Sequence, residues 1–375
     1  MTALSTYSAR QVLEAWMHNR WPEPVVVAPV VSEVLPARWA GLPWGTRQND
    51  PAMIEAKLGV AEDAGFLPIV KVELGGLDYL RPRQQVISES TTQTVTREWY
   101  DTPMGRLETI VTRMEHGSSA QPKMIQTIED TLKMAWVYEN LGDLEAFRRN
   151  LAAVVEQVGQ RGIVAFNVGH PFGSFDDHIT TIYFAHEHPD AMRESADRMC
   201  ALRQRWIDAA ADVGVRCFFA GGLGGNMYSP DMVERWMTPY CRTLREHAHR
   251  RGAVYYLHEC GSMAPKLARG VYHAIAPDWL EGFEAPPLGD IDDLAGARRQ
   301  LPESIVLKGN LNLVFLQEAP PDAVERQTLE MLESLRGFRH MVGGACSLLG
   351  GTPIANLRAM ARATRRFLGH AVEQQ

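Results

Sequence analysis

The chain has 375 residues, 45% of them hydrophobic, and a formal charge of −7 at pH 7. That acidic balance, with no block of Lys and Arg, excludes nucleic acid or an anionic membrane surface as the main partner. Five irregularly spaced cysteines fit reduced thiols and not a disulfide framework. With no run of signal-peptide or membrane-span length, a soluble, cytoplasmic protein is expected.

In chain order, short apolar runs at 24–31 and 67–72 read as buried strands. Next come two alternating, β-rich stretches, 91–98 and 106–113, joined by the turn residues of 101–105. They predict an antiparallel hairpin insertion near residues 91–113, lying over one end of the main unit. Strand-like runs resume at 162–168, 215–220, 253–257, 278–283, 304–308 and 340–345. Between them lie charged segments of helical period, at 125–139, 143–160, 189–213, 231–250 and 321–336. About eight strand–helix units predict a parallel sheet covered by helices, closed into a single (β/α)8 TIM barrel spanning 1–375. No GxGxxG marks a strand-to-helix turn, which weighs against an open dinucleotide-binding sheet.

Active sites of such barrels lie at the C-terminal ends of the strands. His258 and Cys260 sit there, two residues apart after the run 253–257, so strand alternation points them the same way. Cys346 ends the segment 340–345 beside Gly343 and Gly344. One imidazole and two thiols form a donor set that zinc prefers, with a fourth position left for chemistry. The alternative is two small buried thiols and a hydrogen-bonded core histidine. Glu281 and Glu284, at the next strand end, are candidates for a fourth ligand, an acid or a partner of the ligands, as is Asp290 further along. Asn310 suits either a substrate contact or a helix cap. Asn167, His170 and Tyr228 are further candidate substrate contacts. His186, His188, His247 and His249 read as surface or helix-start histidines. The glycines of 221–225 could admit a bulky ligand but lack the Lys-Ser/Thr of a phosphate loop.

The series Tyr228-Ser229-Pro230, Leu257-His258-Glu259-Cys260-Gly261, Pro287-Leu288-Gly289-Asp290, Lys308-Gly309-Asn310, Cys346 and the stretch 351–360 resembles, in order and spacing, the uroporphyrinogen decarboxylase superfamily. Within it, the zinc-dependent, corrinoid-linked methyltransferases are most similar. The resemblance implies a (β/α)8 barrel with His258, Cys260 and Cys346 as zinc ligands. It further implies cobalamin carried by a partner corrinoid protein, since the chain has no Asp-x-His-x-x-Gly pattern of its own. A methyl group would pass between that cobalamin and a small methylated donor, such as a methoxy compound undergoing O-demethylation, or a thiol. A homo-oligomer stays open. The decarboxylase branch carries an Arg-Gln-Ala-Gly-Arg-type segment near the first strand. Here that region, Ala28 to Val34, has no arginine, so decarboxylation ranks second.

Overall fold

The computed structural model describes residues 7–43, 45–114, 117–169, 172 and 178–373. Its frame is an eight-stranded parallel sheet, built from β1 (Val25–Val27), β2 (Ile69–Val72), β7 (Ile163–Asn167), β8 (Cys217–Ala220), β9 (Val254–His258), β10 (Trp279–Glu281), β11 (Val306–Leu311) and β12 (His340–Gly344). Strand order runs β1-β12-β11-β10-β9-β8-β7-β2. The amide of Leu67, just before β2, donates to the Val27 carbonyl at 2.8 Å and joins the two ends of that order. The curled sheet fits the expected TIM barrel.

The alternation of each strand divides the interior in two. Val254 and Tyr256, Trp279, Val306 and Met341 pack with one another inside the curl, while Tyr255, Leu257, Leu280, Leu307 and Val342 pack outward under the helices. The helix Ala9–Met17, which the sequence reading did not single out, closes the inner core from below. Ser8 and Gln11 form its capping box, and Val12, Leu13, Trp16 and Met17 are its buried stripe. The same parity carries His258, Glu281, Lys308, Lys71 and Asn167 to the inner face near the C-terminal ends of their strands.

Between β2 and β7 lies the insertion. The expected hairpin is there, as β4 (Gln93–Thr102) paired with β5 (Gly105–Met114), but it forms the centre of a four-stranded antiparallel sheet. The outer strands are β3 (Arg83–Glu89) and β6 (Gly117–Gln121). Both escape sequence reading for a physical reason: β3 is exposed along its whole length and β6 is Gly-Ser-Ser-Ala-Gln, so neither shows the alternation of a half-buried strand. The helix expected over 231–250 is two, Pro230–Trp236 and Thr238–Arg250. Pro239 has no amide hydrogen to continue the first, and starts the second instead.

Candidate metal centre

His258, Cys260 and Cys346 converge. Their ligand-capable atoms all lie within 4.8 Å of one another. His258 Nε2 is 2.7 Å from Cys260 Sγ and 3.4 Å from Cys346 Sγ, and the two sulfurs are 4.0 Å apart. Donors on a tetrahedral zinc, at about 2.0–2.3 Å from the ion, sit roughly 3.5–3.8 Å from one another. The three distances bracket that value, so the residues fit a zinc ion with shifts of a few tenths of an ångström per side chain. His258 is buried, whereas Cys260 is exposed, so the set opens to solvent on the thiol side.

The imidazole is held from behind. Glu281 Oε2 lies 2.7 Å from His258 Nδ1, and Lys308 Nζ donates to Glu281 Oε1 at 2.7 Å. Both charged partners are almost wholly buried. A carboxylate on Nδ1 leaves Nε2 as the nitrogen facing the sulfurs, the arrangement a metal-bound histidine needs. Burial works against an ionised Glu281, but Lys308 and His258 outweigh it and hold the carboxyl at about 2. Burial likewise opposes the imidazolium, yet Cys346 and Glu281 raise His258 to about 10. Cys346 is drawn well below the usual thiol range by its contact with Cys260 and then by His258, while Cys260 is pushed up. Metal-free, the site is therefore a thiolate beside an imidazolium.

That charge state has a measurable consequence. In metal-free protein, alkylation of Cys346 by iodoacetamide is expected to change little between pH 8 and 6. The thiolate of a depressed group persists until pH falls through its own lowered value, whereas a free thiol loses about tenfold in rate per unit below ~8.5. Peptide mass mapping checks this, with added zinc expected to protect the residue. A rate that falls in step with a free-thiol control removes the assignment.

The loop bearing Cys260 is fixed by groups beyond the ligands. Glu259, buried, accepts from the amides of Leu223 and Gly225 and from Lys266 Nζ. Asp290 accepts from the amides of Met263 and Ala264 and from Ser262 Oγ. Its oxygens are thus committed to the turn after Cys260, which makes Asp290 a positioning group. Gly225 has φ +52°, and a Cβ there would stand 2.9 Å from the Cys260 carbonyl oxygen. Gly225 therefore serves close backbone packing against the cysteine loop, while a Cβ at Gly224 would meet the Tyr228 ring.

Glu284 is different. It is buried, and its Oε1 has no hydrogen-bond partner among the described residues. Burial and then the nearby Cys346 raise its carboxyl above the ordinary range. Asn310 Nδ2 donates to the Phe283 carbonyl at 2.7 Å and holds the turn that presents Glu284. Asn167 is engaged on both sides, donating to Glu73 Oε2 at 2.6 Å and accepting from the Gly169 amide at 2.8 Å. Tyr228 is buried, with its hydroxyl 3.0 Å from His178 Nδ1 and its ring edge-on to Phe172. His170 lies outside the described residues. The other histidines noted from sequence pair away from the site: His186 with Glu187, His247 with Asp208 and His249 with Asp278.

Sequence reasoning missed Lys308, Lys71, Glu73 and the Glu259–Lys266 pair. The signal was present for the first three: Val70-Lys71-Val72-Glu73 and Leu307-Lys308 put charges at alternate positions of apolar strands, on the inner parity.

Comparison with known proteins bears on the fold and the family. A curated uroporphyrinogen decarboxylase from Novosphingobium aromaticivorans is 23% identical over 255 residues, covering 66% of this chain and 72% of its own. A methyltransferase from Methanosarcina mazei superposes with a TM-score of 0.70 at 15% identity, over 96% of this chain and 99% of its own. A B12-independent methionine synthase from Shewanella sp., in complex with selenomethionine, gives 0.50 at 11% identity, over 85% and 89%. At these identities the two structures speak for the fold. The uroporphyrinogen decarboxylase family model matches residues 115–367, and the chain belongs to that family.

Proposed function

We propose that this protein is a zinc-dependent methyltransferase. It moves a methyl group between a small methylated donor, foremost a methoxy compound undergoing O-demethylation, or a thiol, and the cobalamin of a partner corrinoid protein. The observation that carries the reading is the convergence of one imidazole nitrogen and two sulfurs at the mouth of the curled sheet, backed by a buried Lys308–Glu281 pair. Residues 1–375 act as one unit in this reading, because β1 and β2 complete the sheet made by the later strands.

His258, Cys260 and Cys346 would hold the zinc, leaving a fourth position for substrate. Bound there, zinc supplies Lewis acidity, which stabilises a thiolate at neutral pH or draws charge from the oxygen of a methoxy group. Glu281 orients the imidazole. Glu284, with its carboxyl raised by burial and by Cys346, can hold the proton that a departing alcohol takes up. Among the described residues no helix is long and apolar enough to cross a membrane.

The curated relative's name favours a second reading, decarboxylation of a porphyrinogen. One pair of anaerobic assays separates the two. With zinc bound, the protein is expected to change the visible spectrum of methylcobalamin in the presence of a small thiol, and to release no carbon dioxide from uroporphyrinogen. Carbon dioxide release by metal-free protein, with no change in the cobalamin spectrum, reverses the order.

A further inference from the structure

Two of the chain's five cysteines differ from the rest in what can reach them. Cys200, Cys217 and Cys241 are buried, whereas Cys260 is exposed and Cys346 half-buried. The sulfurs of this pair are 4.0 Å apart. A disulfide brings two sulfurs to about 2.05 Å, so each has roughly 1 Å to travel. Neither residue lies in a strand, since Cys260 follows β9 and Cys346 follows β12. The closing motion therefore falls on two side chains at the rim and not on the sheet.

Metal and disulfide compete for the same atoms. Zinc takes thiolates, and a disulfide has none to offer, so oxidation withdraws two of the three donors. The third stays in place. Glu281 Oε2 lies 2.7 Å from His258 Nδ1, and Lys308 Nζ holds the other carboxylate oxygen at 2.7 Å. Reduction then returns both sulfurs to an imidazole that has kept its orientation.

We propose that Cys260 and Cys346 form a redox switch, a dithiol that takes zinc and a disulfide that does not, closed by a hydroperoxide. The inference rests on the thiol centre being a zinc site and concerns the regulation of that site. One sulfur attacks the peroxide, the O–O bond breaks, and a sulfenic acid forms as hydroxide leaves. The second sulfur then displaces the sulfenic oxygen, again as hydroxide, and the S–S bond closes. The two thiol protons leave with those hydroxides as water. The sulfurs give up two electrons and the peroxide gains them.

Hydrogen peroxide, added in equal amount to metal-free and to zinc-loaded protein, tests this. Metal-free protein is expected to lose two of its five thiols, with peptide mapping joining Cys260 to Cys346 within one chain. It should then take up no zinc until a phosphine reductant restores both thiols. Zinc-loaded protein should keep all five over the same time. Cys346→Ala, left without a second sulfur, should carry Cys260 on to sulfinic acid, which the phosphine does not reverse. Wild-type protein that passes to sulfinic acid overturns the switch. So does pairing of either cysteine with a buried one or with another chain, or full zinc binding after oxidation. Reduced protein that takes no zinc ends the metal reading and the switch with it. Reduced protein that takes zinc but forms no Cys260–Cys346 bond ends the switch alone.

Discussion

Replacing Cys346 with Ala is expected to strip the protein of zinc and of methyl transfer, and Cys260→Ala to do the same. The structure brings together three donors from this chain, one at the end of β9, one on the loop after it and one after β12. Structural zinc sites with four protein ligands bind with about 10–16 kcal/mol. Losing one of so few ligands should weaken affinity by at least roughly 10³-fold, enough to empty the site at micromolar protein. Cys241→Ala is the control, since that thiol is fully buried in the helix Thr238–Arg250, away from the other two. Its zinc content should match the wild type. Metal analysis after dialysis gives the stoichiometry. Cobalt substitution reports the sulfur ligands through intense thiolate bands, which should weaken in each single variant. Zinc retained equally by Cys260→Ala and Cys346→Ala would remove the assignment, as would wild-type protein that keeps no added zinc.

Much of this centre was legible in the sequence because strand alternation is a strong rule. Tyr256 and His258 share one parity, Tyr255 and Leu257 the other, and the two cores of the molecule sort them in that way. What a single sequence cannot supply is the pairing of distant segments. Cys346 comes 86 positions after Cys260, and only the parallel order β9-β10-β11-β12 brings the two strand ends to one side. The expectation of barrel closure therefore did as much for the site as the His-x-Cys motif. Where the rule was applied incompletely, residues were lost. Lys308 ends an apolar run and was read as the strand boundary, although its parity aims it at Glu281.

The rest was illegible for reasons of exposure and local chemistry. β3 and β6 carry no apolar face, so their pairing with the central hairpin depends on backbone hydrogen bonds that leave no trace in composition. Asp290 looked like a carboxylate at the mouth, but its oxygens are taken by the turn at Ser262, Met263 and Ala264. The glycine loop suggested room for a ligand, and what one of its members, Gly225, touches is the carbonyl of Cys260. In each case the sequence marks a residue as unusual without saying what it touches.

Glu281→Gln should have the largest effect on stability, and the reason lies in the two buried groups it leaves behind. Lys308 is 0% exposed and Glu281 1%, with 2.7 Å between them. Removing one member of such a pair costs about 3–5 kcal/mol, because the other charge stays buried without its partner. Glu281→Gln strands Lys308, and Lys308→Met leaves Glu281 with His258 alone. Both variants should melt several degrees below the wild type. Glu281→Gln should also lose about 10–100-fold in zinc affinity, since no carboxylate then orients the imidazole. The double variant Glu281→Leu with Lys308→Met separates the two roles: stability should largely return, as both charges are gone, while zinc affinity stays low. Acid titration carries the same argument. Glu281 is held at about 2 against an ordinary 4.5, so its contribution is present above 4.5 and is lost as pH falls through 2. Lys308→Met removes the main cause of that depression and should move the acid transition upward in pH. Single variants that melt with the wild type would show that the pair contributes no net stability. A double variant as weak as the two single losses combined would show that the charges are not coupled, and unchanged zinc affinity in Glu281→Gln would show that His258 is held by something other than Glu281.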